Sequence, residues 1–139
     1  MRGTLQNRCD RIEECYEFML AYAAQWLRDD HASQSGGQLR ELLGRCDEAL
    51  TGLAELFRQI VEEEQRQPAA RYHAFLAVLD RDARDAQAAV QLVLAQLAIS
   101  SQLIDNLNAS IHLRALLTDL FLIDEILRPH DVTTPSPSS

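Results

Sequence analysis

The sequence predicts an all-α fold: an antiparallel four-helix bundle with an extended or bent third helix and a flexible C-terminal tail. Three observations lead there. Apolar residues recur at alternating steps of three and four along most of the chain, the spacing that lines one face of a helix. Good helix formers fill the positions between them, and only five Gly and four Pro interrupt 139 residues. A hydrophobic share of 47 % in a chain of this length supplies one core rather than two. Residues 1–128 are therefore assigned to a helical domain and 129–139 to the tail.

The first helix is expected from Leu5 to Leu27, with Leu5, Cys9, Ile12, Tyr16, Met19, Ala23 and Trp26 facing inward. Gly36 and Gly37 read as breakers in a loop over 28–38. A second helix follows from Gln38 to Gln65, carried by Leu39, Leu42, Cys46, Ala49, Leu53, Leu56 and Ile60. Pro68 marks the start of the third, because proline is tolerated in a first turn. Its apolar spacing then runs from Tyr72 to Leu107 without a Gly or Pro. Unbroken, such a helix would reach about 55 Å, so it must bend near the DRDARDAQ run at 80–87 or project beyond its neighbours. The last helix begins near Asn108 and ends before Pro129. The RPHDVTTPSPSS that closes the chain has no apolar pattern and reads as the tail.

Charge excludes several functions. The net charge is −8, and all thirteen cationic residues are arginines scattered along the chain. That balance repels phosphate backbones, so no nucleic-acid partner is expected. MRGTLQNRCDRIEEC reaches charged residues before an apolar stretch could form, so a signal peptide is not read there and a cytoplasmic location is expected. Cys9, Cys15 and Cys46 are an odd number and read as reduced core thiols.

DNLNASIHLRALLTDLFLIDEILRP, residues 105–129, resembles a membrane span until Arg114, Asp119, Asp124 and Glu125 are counted. Carboxylates in lipid are expensive, so no membrane span is expected. The helical period puts Leu113, Leu116, Leu117, Leu120, Phe121, Ile123 and Leu127 on a broad inward face, with Asp124 among them. Ala115, Leu122 and Ile126 form a second apolar patch on the opposite side, and a helix in a simple bundle needs one apolar face only. Ala115, Asp119, Leu122 and Ile126 are accordingly the expected interface. A second candidate site is a pocket among Tyr16, Met19, Cys46, His112 and Asp124.

Catalytic signatures are missing from the sequence. None of the four histidines follows a Glu by three residues, as a di-iron bundle requires, and no phosphate loop or nucleophile elbow is present. No catalytic residue, metal ligand or cofactor is assigned. The sequence therefore points to a noncatalytic interaction module, a homodimer that serves a further protein partner as adaptor, assembly factor or regulator. The alternative is a bundle that binds a small molecule or metal, with enzymatic activity open to it.

Overall fold

The computed structural model describes residues 2–31 and 34–128. It is all-helical, with six helices rather than four: α1 (Arg2–Ala23), α2 (Gln34–Leu50), α3 (Leu53–Glu63), α4 (Ala69–Leu94), α5 (Ser101–Ala109) and α6 (Ile111–Leu127). The expected tail at 129–139 lies outside the described residues.

The four-helix expectation fails at three points, each with a physical cause. The expected second helix breaks at Thr51 and Gly52. Gly52 takes φ +68°, a left-handed conformation that glycine adopts without steric cost, and α3 starts immediately after it. The overlong third helix neither bends nor projects. The 80–87 run lies inside an uninterrupted α4, and the chain leaves the helix after Leu94. Ser100 then opens α5 by accepting the Leu103 N–H at 3.0 Å. A second serine, Ser110, ends α5 and caps α6 through the His112 N–H at 3.2 Å.

Elsewhere the boundaries move. α1 ends at Ala23, so Trp26 leaves the inward seam: it sits in the following turn at φ +59° and is 87 % exposed. α2 begins at Gln34, which places Gly36 and Gly37 inside a helix instead of before it. Pro68 does stand immediately ahead of α4. Gln65 ends α3 in a left-handed conformation, with Arg66 N–H bonding back to the Val61 carbonyl at 3.1 Å.

α1 and α2 lie antiparallel, since Arg8 donates to the Thr51 carbonyl while Cys15 and Cys46 meet midway. α2 and α3 together run beside α4, where the Gln87 amide donates to Asp47 Oδ1 at 2.9 Å. α5 packs on α1, and α6 packs chiefly on α4. The core between them holds Ile12, Met19 and Tyr22 from α1, Leu39 and Leu43 from α2, Phe57 from α3, and Leu79 from α4. Leu113, Leu116, Leu120 and Ile123 close it from α6. Each such side chain contributes roughly 1.5–3 kcal/mol by leaving water, which is why the three-four pattern rather than local propensity selects the buried face.

One end of the domain is tied by a polar hub. Asp30, only 4 % exposed, accepts from the Arg40 guanidinium and from the Ile99 N–H at 2.8 Å. Arg40 also donates to the carbonyls of Gln96 at 2.8 Å and Leu94 at 3.3 Å, which satisfies the free end of α4. Ser101 donates to the Tyr22 carbonyl at 2.6 Å and accepts from the Leu27 N–H at 2.9 Å. The Tyr22 hydroxyl in turn donates to the Ile99 carbonyl at 2.7 Å. At the other end Arg2 bonds Glu64 and, at 2.7 Å, the Leu127 carbonyl, so that a cation stands at the C-terminus of α6.

Candidate functional site

α6 is a helix to which the sequence gives a second apolar patch, and its outward face is the candidate site. Its inward face is filled by Leu113, Leu116, Leu117, Leu120, Ile123 and Leu127. The outward face keeps Ile111 at 74 %, Leu122 at 50 % and Ile126 at 44 % exposure, with Ala115 half-buried among them. Phe121, expected on the inward face, lies at its edge instead and is exposed. Ile111 was not foreseen in this strip; its position four residues before Ala115 was the available signal. Val78 of α4, also exposed, adds to the apolar surface of the domain.

Asp119 sits at the border between the two faces of α6 and is half-buried. Its Oδ2 is shut off from solvent and receives no hydrogen-bond donor. The group it meets is the carboxyl of Asp82 on α4, another acid. Burial comes first among the causes that push the Asp119 carboxyl up to about 7. The shared proton with Asp82 and the repulsion between the two charges act in the same direction. Two carboxylates in contact cannot both ionise cheaply, so the pair holds one proton near neutral pH.

That proton has a measurable consequence. Asp119 keeps it in the folded state over a pH range, from about 4 to about 7, in which the unfolded chain has lost it. Stability therefore falls as pH rises through this window. Asp119→Asn, whose amide donates to Asp82 without a proton to lose, is expected to gain about 1 kcal/mol at pH 8 after allowance for solvent screening. At pH 4 the gain should vanish. Urea melts of both proteins at the two pH values check this, and a gain over wild type no larger at pH 8 than at pH 4 refutes it.

Asp124 does not occupy the apolar face as its period suggests. Its side chain is 53 % exposed and pairs with Arg128 one turn on, at 3.6 Å. α6 lies chiefly against α4, and on its side toward α1 the Asp124 carboxylate still reaches solvent. The other members of the expected pocket are dispersed. Met19 and Cys46 are closed into the core, Tyr16 is half-buried on α1, and His112 faces solvent 4.0 Å from Asp85.

All three cysteines are free and buried. Burial pushes the Cys9 thiol up to about 12, helped by the charge of Asp124. Cys15 is pushed up as well, first by its hydrogen bond with Cys46 and then by burial. Protonated, enclosed thiols are poor nucleophiles and poor metal ligands. Among the described residues no group of three or more His, Cys, Asp or Glu converges to hold a metal ion, and no helix is long and apolar enough to cross a membrane.

Fold and site together define an all-helical domain with one unfilled apolar helix face. Comparison with protein-family models, characterised proteins and solved structures finds no match, so the function must be argued from that face.

Proposed function

We propose that this protein is a noncatalytic helical interaction module that works through the outward strip of α6, as a homodimer that serves as an adaptor, assembly factor or regulator. One observation carries the reading. Ile111, Leu122 and Ile126 remain in water on a helix whose opposite face is already fully buried. Leaving three large aliphatic side chains aligned and about half exposed or more forgoes roughly 1 kcal/mol for each, and a partner surface recovers it. The sequence supplies no competing use for these positions, since none can act as acid, base, nucleophile or ligand.

Leu122→Asp tests the reading without touching the core, because Leu122 is half in water. Wild-type protein is expected to travel in native lysate in a species larger than the 15.7 kDa chain. The variant, with an unchanged helical spectrum, should fall to the monomer position. Wild-type protein that runs as a monomer both in lysate and when purified removes the proposal.

A further inference from the structure

We propose that the surface seated on α6 is the α6 of a second copy, packed antiparallel about a two-fold axis that passes between Thr118 and Asp119. The inference rests on the interaction reading above and adds the partner and its register. Its first support is a symmetry in the strip. Ile111 stands seven residues before Thr118 and Ile126 seven residues after Asp119; Ala115 stands three before and Leu122 three after. An antiparallel copy centred there sets Ala115 against Leu122 in the two inner layers, a small side chain opposite a large one, and Ile111 against Ile126 in the two outer layers. This is the alternation that close helix contact requires. A parallel copy would instead stack Ala115 on Ala115 and leave a gap beside Leu122.

Charge supplies the second support. Arg114 and Glu125 are eleven residues apart, close to three full turns, so they lie on the same flank of α6. Both are exposed, and among the described residues neither has an ion-pair partner within the chain. A two-fold axis between residues 118 and 119 brings Arg114 of each copy beside Glu125 of the other, twice over. Phe121, exposed on the same flank, closes the rim between them. The strip is thus complementary to itself in shape at its centre line and in charge at its edge, as an isologous interface must be.

The acid at the axis opposes this packing and makes it testable. Two Asp119 side chains approach each other there, and each already stands against Asp82. Like charges brought together weaken association, so the contact is weaker than its apolar area alone would give. At pH 8, where the pair has lost its shared proton, removing the Asp119 charge with Asp119→Asn should tighten the dimer about tenfold, and at pH 6 it should change little. A partner that answered the acid with its own arginine would respond in the opposite direction.

Cross-linking fixes the register. In one chain Ala115 and Leu122 are seven residues apart, about 10 Å along the helix, too far for a disulfide within the chain. The native thiols are buried, so only introduced cysteines are open to a mild oxidant such as a glutathione disulfide. The full-length double variant Ala115→Cys, Leu122→Cys is expected to give a covalent dimer, and each single variant alone is not. Sedimentation of the purified wild-type chain is expected to show a dimer at micromolar concentration, tightened at pH 8 by Asp119→Asn. If Ala115→Cys alone cross-links as efficiently as the double variant, the packing is parallel and the inference falls. If purified wild-type protein is a monomer but forms a larger species in lysate, a different partner occupies the strip; the second-copy inference falls and the interaction reading stands. A dimer that Leu122→Asp leaves intact overturns both.

Discussion

Asp30→Ala is expected to lower stability by about 3–4 kcal/mol, the scale of a buried ion pair that loses one partner. Asp30 is 4 % exposed, and its carboxylate is the only anion beside the Arg40 guanidinium among the described contacts of that end of the domain. It also accepts the N–H of Ile99, itself fully buried. Deleting the carboxylate strands both donors, and a stranded buried donor costs more than a formed hydrogen bond contributes. The hydrogen bonds from Arg40, followed by the one from Ile99, hold the Asp30 carboxyl down to about 2, against an ordinary value of 3.8. A depressed carboxylate contributes stability that is complete above pH 4 and is lost as the pH falls through 2. Wild-type stability should therefore fall by about 2 kcal/mol across that interval on account of this group. In the Ala variant that component should be missing. Denaturant midpoints at pH 7 and pH 2 measure both effects, and equal midpoints for the two proteins at pH 7 would sink the assignment.

The same hub explains which parts of the fold were legible in the sequence. The inward positions were: Leu5, Cys9, Ile12 and Met19 on α1, and Leu39, Cys46, Leu53 and Ile60 along α2 and α3, are all buried. Periodicity reports which face leaves water, and that face is set by the core. Several helix ends were not, although Pro68 did announce α4, because partners far away in sequence set them. QLAIS, residues 96–100, contains no Gly or Pro to announce a break. It leaves the helix because Arg40 takes the carbonyls of Leu94, Gln96 and Leu97 while Asp30 takes the N–H of Ile99. Those partners stand more than fifty residues upstream. Trp26 failed for the opposite reason, since its spacing suits the seam of a helix that ends three residues earlier.

The acids of α6 were misranked by a related error. A helical wheel gives each position an angle but does not say which neighbour occupies that direction. Asp124 falls at an inward angle on the side of α1, near enough for its charge to act on Cys9, yet its carboxylate stays in water and pairs with Arg128. Asp119 falls at the border angle where α4 lies close, and it meets Asp82. Ala115, Leu122 and Ile126 were legible as a patch because they repeat along the helix, and a repeat survives errors in any single angle.

Gly36→Ala is the second large effect, expected at about 3 kcal/mol, the upper range for forcing a methyl into filled space. Gly36 read as a helix breaker, yet it stands in the first turn of α2. Its role is contact: a Cβ at this position would lie 1.9 Å from the carbonyl oxygen of Asp30 and 2.6 Å from its Cα. Backbone atoms cannot rotate away as a side chain could, so either α2 or the Asp30 turn must shift. A shift there moves the Asp30 carboxylate relative to Arg40 and Ile99. The two substitutions therefore act on one structure, and their costs should not add. The double variant Asp30→Ala, Gly36→Ala is expected to lose less than the sum of the singles, because the hydrogen bonds that the methyl displaces are already gone. Gly37→Ala, at a position with open space around it, is the control and should gain up to about 1 kcal/mol from helix propensity. Thermal midpoints of the four variants and the wild-type chain separate these outcomes; a Gly36→Ala chain as stable as the Gly37→Ala chain would show that α2 does not pass so close to Asp30.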